Sequence, residues 1–272
     1  MWDIDVRWSK VFLYRIKRDH SEQIVNGVMP TKPVKTVVAI MHRDPVTDMY
    51  MPVCSGTLIG NTWVATAGHC FTNASLADMK VVAGEMNLRA YYIGASKTAK
   101  TVRIKEVHLP KKYHRIGNKV LDNDLALIEL AESLDVSMDS NLEKAFLPPP
   151  GMKIAGEEFQ VVGWGKIGKY MRQSSSLLSI EVSISQDQNC GATHGQTKYF
   201  PQRMFCGGME TGTTCNGDSG GGAIFHGWGV PVILGVVSFG TGDCKTLVVY
   251  TRIDAFLPWI FQLTKIQYVY SF

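Results

Sequence analysis

Ten short β-rich runs, each bounded by Gly, Pro, Asn or Asp, constrain this chain more than any other feature. They lie at 36–41, 54–66, 80–83, 101–107, 125–130, 159–163, 177–184, 223–225, 233–238 and 247–251. Most are short segments of Val, Ile, Leu and Thr, which is how strands buried on one or both faces read. No amphipathic helical stretch separates them, so a parallel α/β sheet is excluded and antiparallel barrels or a sandwich remain. The one good helix candidate is 254–266, DAFLPWIFQLTKI. There Phe256, Ile260, Leu263 and Ile266 recur at helical spacing, Asp254 is placed to cap, and Pro258 falls near the first turn, where proline is tolerated. With 272 residues, 45% of them hydrophobic and 19% charged, the chain can bury a large core.

The six cysteines are Cys54, Cys70, Cys190, Cys206, Cys215 and Cys244. None forms a CxxC pair, which argues against a zinc or thioredoxin-type site. An even number at wide spacing fits three disulfides and an oxidising compartment, with fifteen pairings open to sequence reasoning. Asn73-Ala74-Ser75 is a glycosylation sequon, which suits a secreted chain. Residues 1–20 have charges in every apolar stretch and no h-region of adequate length, so they do not read as a signal peptide. We read 1–23 as a leader or pro-segment and 24–272 as the folded body. No run is long enough for a transmembrane helix. The formal charge of +4 is mild. Lys111, Lys112, His114 and Arg115, and likewise Lys166 and Lys169, read as solvated loops, and no nucleic-acid partner is expected.

One stretch is unlike core or helix: Cys215-Asn216-Gly217-Asp218-Ser219-Gly220-Gly221-Gly222. Glycines crowd where a chain needs unusual dihedrals or must expose its amides. The amides of Gly217 and Ser219 can point at one oxygen while Ser219 presents its hydroxyl beside them, the layout of a nucleophile with an oxyanion hole. A serine hydroxyl needs a base, and the base an orienting carboxylate. Of the histidines, His69 stands out in Thr66-Ala67-Gly68-His69-Cys70, after the apolar Trp63-Val64-Ala65 and beside a cysteine able to tie down its backbone. The carboxylate candidate is Asp124 in Asp122-Asn123-Asp124-Leu125-Ala126-Leu127-Ile128, where a polar turn enters an apolar strand. Asp122 is the weaker choice.

These motifs together resemble the trypsin/chymotrypsin family of serine endopeptidases over about residues 24–262. TAGHC is similar to the family's TAAHC, DNDLALI to its DNDIALI-type motif, and CNGDSGGG to its CxGDSGGP. Val162-Gly163-Trp164-Gly165 and Val237-Ser238-Phe239-Gly240 match two further family segments. The order His69, Asp124, Ser219 is that of chymotrypsin-like enzymes. The resemblance implies an all-β fold of two packed six-stranded antiparallel barrels, roughly 24–140 and 141–272, with a C-terminal helix. It implies disulfides Cys54–Cys70, Cys190–Cys206 and Cys215–Cys244. It further implies His69 as general base, Asp124 as its orienter, Ser219 as nucleophile, Gly217 and Ser219 amides as oxyanion hole, and Ser238 as a support for the aspartate.

The family's activation logic would pair a new Ile24 amine with Asp218, since a buried carboxylate is costly unless a cation meets it. Gln23 precedes Ile24 where the family usually has Arg or Lys, so a zymogen with an unusual activator is expected. The floor of the specificity pocket falls at Thr213, which carries no charge. Gly240 leaves one wall open, Val248 narrows the other, and Phe239 stands for the usual tryptophan. A preference for neutral, small-to-medium apolar P1 residues follows, with aromatic ones left open, and trypsin-like cleavage after Arg or Lys does not. Gly68 replaces an alanine and Gly222 a proline of the family pattern. Glu85 and Asn87 match the start of the family's calcium loop, but 89–96 offers no acid, so no metal and no cofactor are expected. Protein or peptide substrates and protein protease inhibitors are the expected partners of a monomeric, secreted enzyme. The alternative is a catalytically poor homologue acting as a binding or decoy protein.

Overall fold

A computed structural model describes residues 27–72, 74–116, 120–165, 173–195, 198–208, 218–240 and 247–269. In chain order the strands are β1 (Val37–Arg43), β2 (Tyr50–Leu58), β3 (Trp63–Thr66), β4 (Met79–Ala83), β5 (Lys100–His108), β6 (His114–Ile116), β7 (Val120–Asp122) and β8 (Ala126–Leu130). They continue as β9 (Glu158–Gly163), β10 (Leu178–Ile184), β11 (Met204–Gly208), β12 (Gly222–Phe225), β13 (Val232–Phe239) and β14 (Val248–Arg252). Twelve of these close two antiparallel barrels, β1-β2-β3-β8-β5-β4 and β10-β11-β14-β13-β12-β9. Counting strands within each barrel, both rings follow one order, so the same topology is used twice. β6 and β7 form a separate hairpin rising between β5 and β8.

Closure follows from the side chains. In β1 the residues Val37–Met41 are all buried, which a strand tolerates only where both faces are covered. One face fills the first barrel with Val38 and Ile40, alongside Leu58, Val64, Val81 and Ile128. The other, Val37, Ala39 and Met41, packs against Val162 and Trp164 of the second half. Phe159, Phe205 and Tyr250 fill the second barrel, with ring centroids 5.0–5.6 Å apart. A third apolar cluster joins the halves: Leu125 and Leu127 meet Ile224, Ile233 and Val236 over α3 (Leu257–Thr264). Aromatic and branched side chains of this kind each gain about 1.5–3 kcal/mol on full burial, so the seam is held by core-like packing.

The expected C-terminal helix begins at Leu257, after a 3₁₀ turn over Asp254–Phe256. Asp254 does not cap it, because its carboxylate is engaged by Arg252, whose Nε and Nη2 donate at 2.8 and 2.7 Å. The run 54–66 resolves into the hairpin β2–β3, turning at Gly60-Asn61. Of the three pairings expected, Cys54–Cys70 and Cys190–Cys206 are formed; Cys215 and Cys244 lie outside the described residues. Each formed bridge spans 16 residues, a loop size that stabilises by about 3 kcal/mol in the chain-entropy account.

Candidate active site

Asp124 sits where the β6–β7 hairpin returns into β8, and its side chain has no solvent exposure. Burial of a carboxylate is tolerated only when its oxygens are satisfied. Here Oδ1 accepts the backbone N–H of His69 at 2.9 Å, and Oδ2 takes His69 Nδ1–H at 2.8 Å. The Ser238 hydroxyl donates to Oδ2 at 2.6 Å, and Thr251 Oγ1 donates to the Asp124 carbonyl at 2.8 Å. Since a carboxylate only accepts, Nδ1 carries the proton and Nε2 is left with its lone pair. The His69 side chain is 21% exposed. An imidazole held by its backbone and one nitrogen, with the other free to take a proton, is what general-base chemistry needs.

The turn that holds His69 is fixed from three sides. Cys70 is bonded to Cys54. A Cβ at Gly68 would lie 2.9 Å from Tyr113 Cε2 and 3.1 Å from Leu109 Cδ2. The departure from alanine at 68 thus makes room for the Tyr113 ring, which covers the turn. Thr66 Oγ1 donates to the Ser55 carbonyl at 2.8 Å.

Ser219 is brought to this turn by its own neighbours. Ser55 N–H donates to the Ser219 carbonyl at 2.9 Å, and Gly220 N–H to the Val237 carbonyl at 2.9 Å. Gly220 has φ +76°, and a Cβ there would collide with Thr66 Oγ1, with the Ser55 carbonyl at 2.5 Å and with the Ala67 amide at 3.0 Å. Only glycine allows this approach, so Ser219 is seated against the two residues that lead into His69. Gly222, where the family has proline, faces Thr57, whose Oγ1 occupies the space a Cβ would need. Asp218 is fully buried and accepts Gly165 N–H at 2.9 Å. Cβ atoms on Gly163 or Gly165 would overlap its carboxylate. The two glycines of Val162-Gly163-Trp164-Gly165 therefore form a cradle for Asp218, a role that sequence reasoning missed. Gly217 and Ile24 lie outside the described residues.

A family model described as Trypsin matches residues 26–260. The chain belongs to the trypsin family. It is 31% identical over 213 residues to trypsin Tyr p 3.0101 of Tyrophagus putrescentiae, a match covering 76% of this chain and 70% of that protein. Against a trypsin of Phaedon cochleariae the figures are 29% over 224 residues, 78% and 79%. Serine proteinase stubble of Drosophila melanogaster is 29% identical over 229 residues, 77% of this chain but 27% of its own length. This trypsin-family chain is a serine-type endopeptidase, and its substrates are proteins. No helix among the described residues is long and apolar enough to cross a membrane.

On the specificity side, Ser238 is buried and Gly240 exposed, with Phe239 between them partly covered by His194 of α2 (Asp187–His194), ring centroids 5.6 Å apart. The His194 Nε2–H donates to the Leu247 carbonyl at 2.8 Å, and burial, with Lys198 adding to it, lowers the pKa of this imidazole. Val248 follows directly. Its Cγ2 would stand 3.3 Å from a Cβ on Gly240, so the valine side chain and the Gly240 backbone face each other. Thr213 lies outside the described residues. Glu85 and Asn87 form a turn: Glu85 Oε1 accepts Asn87 N–H at 2.7 Å, and Asn87 Oδ1 caps α1 (Leu88–Tyr92) by accepting from Arg89 N–H at 3.0 Å.

Proposed function

We propose that this protease cleaves peptide bonds after small, uncharged P1 residues through Ser219, His69 and Asp124, by way of an acyl-enzyme. The observation that carries the reading is the buried Asp124 carboxylate holding His69 by both backbone and ring, with the Ser219 loop seated on the same turn. His69 Nε2 takes the Ser219 proton as Oγ attacks the substrate carbonyl. The Gly217 and Ser219 amides receive the oxyanion, and the imidazolium, steadied by Asp124, hands its proton to the leaving amine. Water then repeats the sequence on the ester. Asp122 takes no part: it pairs with Arg203, at 2.5 Å from Nε and 2.8 Å from Nη2.

The P1 reading is supported by Val248 facing Gly240 and by the uncharged Thr213 expected at the floor. It extends to a zymogen in which cleavage between Gln23 and Ile24 frees the leader 1–23 and lets the Ile24 amine pair with Asp218. Support comes from Val28, which exchanges backbone hydrogen bonds with Ser179 at 3.0 and 2.9 Å. Ser179 lies opposite Val162, one residue before the Asp218 cradle, within reach of four extended residues. The two disulfides support secretion, and the two barrels divide the body near 140. A monomer inhibited by protein protease inhibitors completes the proposal.

Hydrolysis of a peptide panel by the processed chain tests this. Wild type should cut fastest after Ala or Val, and S219A and H69A should each lose activity by at least about 10⁴-fold. Fastest cleavage after Arg or Lys refutes the P1 reading, and activity surviving in S219A refutes the nucleophile.

A further inference from the structure

Away from the active site, β5 and β8 place three ligand-type side chains together. A bulge between Ile104 and Glu106 sets Glu106 directly opposite Glu129. Like charges facing each other across a strand pair are destabilising. His108, two residues on and so on the same face as Glu106, completes the group: one ligand atom from each residue can be chosen so that all lie within 4.8 Å of one another.

The imidazole is the informative member. The His108 side chain is 19% exposed, and its Nε2 is buried with no hydrogen-bond partner. A buried ring nitrogen left in this way is destabilising. Glu129 Oε2 lies 3.8 Å from that nitrogen, and Glu106 Oε1 lies 3.7 Å from Nδ1. Both separations are too long for hydrogen bonds. The Glu129 Oε2–Nε2 separation is near the edge of a zinc polyhedron, where donors about 2.0–2.1 Å from the ion stand roughly 3.3–3.4 Å apart, whereas Glu106, now beside Nδ1, must turn its exposed side chain to reach the same ion. The surroundings orient the ligands in the manner of an outer shell. Lys105 Nζ donates to Glu129 Oε1 at 2.6 Å, turning Oε2 toward the histidine. The Trp63 ring packs on the imidazole at 5.6 Å between centroids. Glu106, 60% exposed, leaves the group open to solvent for entry of an ion and a water ligand. Among the described residues the other cluster of ligand-type side chains, Cys54, His69 and Cys70, offers no free thiolate because its two sulfurs form a disulfide.

We propose that His108 Nε2, Glu129 Oε2 and a carboxylate oxygen of Glu106 bind one divalent transition-metal ion. Zn²⁺ is the best match to one imidazole and two carboxylates. The ion would offset the facing glutamates, satisfy the buried nitrogen and clamp β5 to β8. Leu109, the next residue, packs on the Gly68 turn, so the clamp adjoins the support of His69.

The test uses the full chain, stripped with a chelator and titrated with Zn²⁺ against a chromophoric competitor, with Co²⁺ spectra reporting coordination. Wild type should take up one Zn²⁺ per chain with a rise in Tm, and Co²⁺ should give the intense visible bands of a four-coordinate N/O site. H108Q should abolish this binding, and E106Q and E129Q should each weaken it by at least about tenfold. E106Q carries its change on an exposed side chain, so it decides the matter even if H108Q fails to fold. Absence of binding to wild type overturns the proposal. So does undiminished binding by E106Q, or a site lost in H69A but kept in H108Q, which would put the ion on the imidazole near Ser219.

Discussion

On the proposed P1 reading, replacing Val248 by glycine should shift the preference from small to large P1 residues. The Val248 Cγ2 sits 3.3 Å from the place a Cβ on Gly240 would occupy, so its isopropyl group stands directly against the Gly240 backbone. V248G removes that group and leaves glycine on both sides. A phenylalanine side chain buries about 150–250 Å² when fully enclosed, worth about 4–6 kcal/mol at about 25 cal/mol per Å². Roughly half of that area is newly available, since the ring's outer part stays wet in either pocket. A swing of about 2–3 kcal/mol corresponds to about 30- to 150-fold in the ratio of kcat/KM for Phe over Ala. Peptide p-nitroanilides differing only at P1 measure the ratio, in which the fraction of active enzyme cancels. The variant should also lose about 2–4 kcal/mol of stability, because Val248 is buried in the second barrel's core. A Phe/Ala ratio within about threefold of wild type would refute the view that Val248 closes the pocket.

Further outcomes follow from the same geometry. D124N should lower kcat by about 10⁴-fold with little change in KM, because the amide presents the wrong hydrogen-bonding pattern to His69 Nδ1; steady-state kinetics decide this. R203M removes the partner of Asp122, which lies two residues before Asp124. A stability loss of about 1–3 kcal/mol by urea unfolding is expected for this part-buried pair, along with a reduced kcat. His194 has a lowered pKa through burial, so below about pH 6.5 the unfolded chain takes up this proton before the folded one does. Stability tied to His194 is therefore full above that pH and lost as pH falls through the folded value. Urea midpoints of H194Q should decline less than wild type just below pH 6.5.

How far the sequence could be read depended on whether a feature was local. Strands such as β1 and β8 were legible because buried runs of Val, Ile and Leu leave no other reading. β11 was not, since Met204-Phe205-Cys206-Gly207-Gly208 carries glycines that weaken a strand signal; it is a strand because β10 and β14 flank it. The β6–β7 hairpin and the short helices α1 and α2 were missed because none spans enough residues to show a period. His69, Asp124 and Ser219 were found from their flanking motifs. The cradle under Asp218, the Tyr113 ring filling the place of a Gly68 side chain, and the Glu106–His108–Glu129 group all join residues distant in sequence. For those, only the tertiary fold brings the partners together. The Asp254 cap failed for a similar reason, because a nearby Arg252 competed for the carboxylate.

The most direct measurement is labelling by a fluorophosphonate, read by mass spectrometry of the peptide that contains Ser219, on the chain before and after processing at Ile24. The processed chain should be labelled stoichiometrically on Ser219, the unprocessed chain should react far more slowly, and D124N and H69A should lose the reaction. A processed, folded chain that does not react at Ser219 would contradict this and leave a binding or decoy protein on a protease fold.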